Sequence, residues 1–174
     1  MTKSVHKDRF VSLAQEAVEE WVRFNRVKAS PEPLPLELHE KAGAFVCLKK
    51  HGELRGCIGT IAATQEHLGN EIIRNAIHAA VEDPRFEPVT ADELDDLVYM
   101  VDVLGAAERI ESFDQLDPKT YGVIVESGYK RGLLLPDLEG VDTVEAQVSI
   151  AMRKAGITSA DPVALSRFQV IRHD

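Results

Sequence analysis

The chain has 174 residues, of which 44% are hydrophobic and 28% charged, with a net charge of −9. A chain of that size buries roughly 70% of its unfolded surface, so it needs neither disulfides nor a structural metal to fold, and disorder is not indicated. The acidic balance disfavours nucleic-acid backbones and anionic membranes, and no apolar run approaches the ~20 residues of a spanning helix.

The opening MTKSVHKDRF lacks the apolar core of a signal peptide. These features predict a single cytoplasmic domain, 1–174. Its two cysteines, neither of them in a CxxC, are read as reduced thiols.

The first element is a helix from about Asp8 to Lys28, with Phe10, Ala14, Ala17, Val18, Trp21 and Val22 at helical spacing. Ser30-Pro31 stops it. PEPLPLELHE then reads as an extended connector. A hairpin follows, in which GAFVCLK and LRGCIGT flank His51-Gly52. A two-residue turn there opposes Lys50 to Glu53, Leu48 to Arg55 and Val46 to Cys57. On that register Cys47 and Cys57 lie on opposite faces and cannot form a disulfide, although a one-residue slip would reverse this.

A second helix is predicted over Gln65–Glu82, N-capped by Thr64 and ended by Asp83-Pro84. Thr90 to Glu93 is a capping box, and LVYMVDVL is a strand. SFDQL forms one helical turn. YGVIVES and KRGLLL are two strands joined near Ser127-Gly128. DTVEAQVSIAMRKAG is a helix with Asp142 and Glu145 at its start and Gly156 at its stop, and ALSRFQVI closes as a strand. The sum is an α+β fold with a mixed, mainly antiparallel sheet and packed helices. Two blocks of hairpin, helix and strand raise the idea of an internal duplication, though the residues themselves do not repeat.

Gly56 and Gly59 bracket Cys57 in LRGCIG, and a glycine within a strand marks a bulge or the close approach of a backbone or ligand. Arg55, two residues from Cys57, shares its face of a regular strand, and a guanidinium near a thiol favours the thiolate. Cys57 is therefore either a nucleophile or redox thiol, or a small buried hydrophobe. Downstream, Asp83 and Arg85 either pair to stabilise the DPRF turn, with Phe86 against the core, or present Arg85 to an anionic ligand. His78 and Glu82 share a helix face, but two ligands do not make a metal site. Glu71 and Asn75 nearby fit a solvated helix face as well as they fit a ligand set. No metalloprotease, nucleotide-binding or serine-hydrolase motif is present.

GAFVCLKKHGELRGCIGT, NAIHAAVEDPRFEPVT and YGVIVESGYKRGLLLP together resemble the AMMECR domain family, whose prokaryotic members are called AmmeMemoRadiSam system protein A. The resemblance covers about Phe10 to Val170. It implies an intertwined α+β domain with LRGCIG on a strand lining a cleft, and Memo-like and radical SAM proteins as partners; no cofactor is expected. Two functions follow from it. In one, a cysteine-dependent enzyme uses Cys57 and Arg55 as catalytic residues and Gly56, Gly59, Asp83 and Arg85 as the substrate pocket, with Glu53 or His78 as a candidate base. In the other, a non-catalytic accessory subunit uses LRGCIG as a structural strand. RNA binding finds no basic stripe to support it.

Overall fold

The computed structural model describes residues 8–174. The signal-peptide reading and His6 fall outside them. The chain forms two compact units, one of residues 8–103 with 172–174 and the other of 104–171.

The first unit opens with α1 (Arg9–Phe24). Asp8 caps it by accepting from the amides of Phe10 and Val11, and Asn25 ends it at a positive φ of 52°, so that the helix stops at Phe24, four residues short of the predicted Lys28. Hairpin strands β1 (Ala44–Lys50) and β2 (Glu53–Gly59) follow. Both turn residues, His51 at φ 51° and Gly52 at φ 83°, are left-handed, which matches the twist of a two-residue hairpin. Helix α2 (Leu68–Val81) starts three residues later than predicted, because His67 and not Thr64 caps it. The capping box Thr90/Glu93 is present and opens a 3-10 turn at Ala91–Asp96, and β3 (Leu97–Leu104) matches its predicted bounds. The connector also differs from expectation: it contains a 3-10 turn at Leu36–Leu38 that buries Leu38.

The second unit holds β4 (Glu108–Ile110), β5 (Gly122–Ser127), β6 (Lys130–Leu134), α3 (Val144–Lys154) and β7 (Ala164–Phe168). Thr143 caps α3, while Asp142 pairs with Lys119 at 2.9 Å. The predicted closing strand is two: Gln169 separates β7 from β8 (Val170–His173), and its carbonyl accepts from Gly105 N–H.

The sheets run β2-β1-β3-β8 and β4-β7-β5-β6. Each is built from an edge hairpin strand, its partner, the strand after the helix, and a fourth strand. That fourth strand is exchanged. β4 follows β3 in the chain but pairs with β7, and β8 follows β7 but joins the sheet beside β3. The connectivity therefore repeats, as the two similar blocks in the sequence anticipate. One packing detail repeats as well. A Cβ on Gly56 of β2 would collide with the carbonyl oxygen of Ala79 on α2, and a Cβ on Gly132 of β6 would collide with that of Ala151 on α3.

Each unit has its own core. In the first, Leu13, Ala14, Ala17 and Val18 of α1 and Leu68, Ile72 and Ala76 of α2 bury against Val46, Leu48 and Val101 of the sheet. In the second, Val123, Val125 and Leu165 pack with Val148 and Ala151 of α3.

Candidate functional site

The hairpin register decides where Cys57 goes. Lys50 opposes Glu53 as predicted, and Lys49 opposes Leu54. Leu48 then opposes Gly56, so Arg55 is an extra residue, a bulge, in β2. Past the bulge every pairing is one residue off the prediction, and Cys57 opposes Cys47 instead of Val46. The two cysteines share a face, their Cα atoms 4.1 Å apart, and form a disulfide. Both the expectation of reduced thiols and that of cysteines on opposite faces are thereby corrected. The bulge also interrupts the alternation that was to place Arg55 and Cys57 on one face.

Strand β2 is the edge of its sheet. At a cross-strand pair this close, the N–H and C=O of Cys57 point away from β1, toward the open side. There the Asp83 carboxylate accepts from Cys57 N–H at 3.0 Å, and Arg85 Nη2 lies 3.4 Å from the Cys57 carbonyl oxygen. Asp83 and Arg85 are themselves joined by three hydrogen bonds, Nε to Oδ1 at 2.9 Å, Nη2 to Oδ2 at 2.7 Å and the Arg85 backbone N–H to Oδ1 at 3.1 Å. The pair offers Cys57 one acceptor and one donor, as a neighbouring strand would. Arg85, with its backbone and guanidinium bonds, holds the buried Asp83 carboxyl down to about 2, against the push of burial.

Arg55 is held by a different carboxylate. Its Nε and Nη2 donate to Glu93 at 3.0 and 2.9 Å, and Lys50 adds a third bond at 3.0 Å. Arg55 above all holds Glu93 well below the usual carboxylate range. The Phe86 ring has the guanidinium carbon of Arg55 at 6.0 Å and that of Arg85 at 5.4 Å from its centroid.

The six predicted site residues divide by what surrounds them. Cys57, Asp83 and Arg85 come together as one hydrogen-bonded group. Arg55 joins them through Phe86 and has its charge matched by Glu93. At the two glycines the neighbours are close: a Cβ on Gly56 would meet the Ala79 carbonyl oxygen, and one on Gly59 would meet the Phe45 ring. Glu53 is exposed. His78 pairs with Glu82 at 3.6 Å and lines a separate cavity of about 380 Å³ with Trp21, Lys28 and Arg74. None of the six predicted residues lines that cavity. Among the described residues, no group of three or more His, Cys, Asp or Glu is arranged to hold a metal, and no helix is long and apolar enough to cross a membrane.

A solvated helix face, one of the two settings that suit Glu71 and Asn75 in the sequence, is not where they lie, for both are buried. Burial pushes the Glu71 carboxyl up. Bonds from the Thr60 hydroxyl, the Thr64 amide and hydroxyl and the Gln65 amide outweigh that and hold it below its ordinary value. Asn75 donates to the Ala44 carbonyl and to Thr60 Oγ1. Together they fix the loop that leaves β2. The available signal was the pair of threonines, Thr60 and Thr64, just after the LRGCIG strand.

A family model described as AMMECR1 matches residues 11–173. The chain belongs to the AMMECR1 family. The match spans both compact units. A protein of Thermotoga maritima is 52% identical over 167 residues, covering 94% of this chain and 96% of that protein. A Clostridium acetobutylicum protein is 47% identical and covers 99% of this chain, which spans only 37% of that longer relative. The crystal structure of an uncharacterized protein from Pyrococcus horikoshii superposes with a TM-score of 0.87 at 34% identity, over 94% of this chain and 88% of that one.

Proposed function

We propose that this chain is one AMMECR-type domain, 1–174, acting in the cytoplasm as a non-catalytic accessory subunit of a Memo-like protein and a radical SAM protein. In this reading LRGCIG is a structural strand. One observation carries it: most of the reactive and polar groups of the two hallmark motifs are already engaged within the chain, although Nη1 of Arg55 is buried without a partner. The Cys57 sulfur is bonded to Cys47, the Asp83 carboxylate to Cys57 N–H and Arg85, and the Arg55 guanidinium to Glu93.

Acid–base chemistry points the same way. A general base works best with a pKa near the working pH. Asp83, near 2, and Glu93, well below the carboxylate range, are firmly ionised and weakly basic. The cysteine-dependent enzyme would first have to free Cys57 and then find a base elsewhere.

The test is calorimetric titration of the purified chain with the Memo-like and radical SAM proteins of the same organism, beside a turnover screen of the chain alone. The accessory reading expects saturable binding to at least one partner and no turnover. Turnover by the isolated chain that disappears in a folded Cys57→Ser variant, or absence of binding to either partner, overturns it.

A further inference from the structure

We infer that Cys47–Cys57 is a thiol–disulfide exchange site whose co-reactant is a dithiol and whose attacked sulfur is that of Cys57. This goes beyond the accessory role and does not depend on it.

Three observations support it. Both cysteines are only half-buried, so neither is sealed in a core. The bridge joins positions ten apart on strands already paired through a two-residue turn. A disulfide that closes so short a loop constrains the unfolded chain less than one closing a long loop. The strand is also held without it. On one side stands the ladder to β1, and on the other the Asp83–Arg85 pair bonds the Cys57 backbone, while Gly56 seats β2 against α2. Opening the bridge therefore leaves the hairpin in place.

The two sulfurs differ in the strand that carries them. Cys47 sits on β1, between β2 and β3, whereas Cys57 sits on the edge strand. A thiolate of the dithiol attacks the Cys57 sulfur, and a new S–S bond forms. The Cys47–Cys57 bond breaks with its electron pair on Cys47, which takes a proton from water. The second thiol of the dithiol, as its thiolate, then attacks the sulfur that its own molecule contributed to the mixed disulfide. It expels Cys57 as a thiolate, which is protonated in turn. The disulfide gains two electrons and two protons, and the dithiol leaves oxidised to a disulfide.

The experiment uses the whole native chain and dithiothreitol as the probe. Free thiols are trapped by alkylation and counted by mass spectrometry while circular dichroism follows the fold. We expect both cysteines to become alkylated without denaturant and with the spectrum unchanged. Single variants identify the attacked sulfur. Cys47→Ser, which leaves Cys57, should take up glutathione from its disulfide several-fold faster than Cys57→Ser, which leaves Cys47. A Cys47→Ser/Cys57→Ser double variant checks that the fold survives without the bridge. A bridge that opens only on unfolding, a double variant that does not fold, or equal or reversed glutathionylation rates would each overturn the proposal.

Discussion

The amide of Cys57 donates to the carboxylate of Asp83 at 3.0 Å across 26 residues of sequence, and Arg85 stands 3.4 Å from the same residue's carbonyl. LRGCIG and DPRF are therefore two halves of one arrangement. An edge strand exposes unpaired backbone groups, which invite pairing with other chains. Here an ion pair takes the place of the missing neighbour.

Replacing Asp83 by Ala should cost about 2–4 kcal/mol, since it removes a buried acceptor from Cys57 N–H and strips Arg85 of its partner. Equilibrium urea unfolding checks this. Aggregation on concentration, monitored by light scattering, should rise in the same variant because the edge is uncapped.

The same carboxylate gives a pH dependence. Its folded pKa, about 2, lies below the ordinary 3.8. A depressed carboxylate stabilises the fold above its unfolded pKa and loses that contribution as pH falls through the folded one. Stability from this group should be complete above about pH 5 and decline between about pH 4 and 2, by about 2 kcal/mol in total. Asp83→Asn should flatten that part of the profile. A wild-type slope that persists in the variant would assign it to other groups.

Gly56→Ala places a methyl against the Ala79 carbonyl, and Gly132→Ala does the same against Ala151. The obstacle in both cases is backbone, which cannot rotate aside, so each should lose roughly 3 kcal/mol or more. Gly128→Ala meets open space and suffers only from a φ of +59°, so its cost should be about 1 kcal/mol. Thermal melts of the three variants give the ranking directly.

Glu71→Gln keeps the shape of the side chain but replaces one acceptor oxygen by a donor facing the Thr60, Thr64 and Gln65 donors. Amide exchange at Thr64 and Gln65 should speed up at least tenfold while exchange in β3 stays unchanged. Uniform acceleration would mean global destabilisation instead of release of the loop.

Much of the fold could be read from local pattern. His51-Gly52 announces the hairpin because both positions need positive φ, and LVYMVDVL announces β3 by its β-branched and aromatic content. The bulge at Arg55 could not be read, since an extra residue leaves the apolar pattern nearly intact while moving Cys57 from opposite Val46 to opposite Cys47. Nor could the break at Gln169. ALSRFQVI is a continuous strand-like run, and its division between two sheets is set by which strand lies free, a tertiary matter. Glu71 was misread for a related reason: a carboxylate looks solvated until its donors, supplied by a loop earlier in the chain, are known. For the site, the resemblance named Cys57, Asp83 and Arg85 without giving the reason they occur together. That reason is a hydrogen bond between a strand edge and a helix end, which spacing alone does not reveal.

The most direct test of this account is the hydrogen exchange of a single amide, that of Cys57, measured by NMR in the oxidised protein and in Asp83→Ala. The N–H faces the open edge of the sheet, so in the absence of a partner it would exchange as a solvent-exposed group. We predict strong protection in the wild type and a loss of at least tenfold in the variant, with the amide of Val46 unchanged. Equal protection at Cys57 in both proteins would contradict the claim that Asp83 completes the edge of the LRGCIG strand.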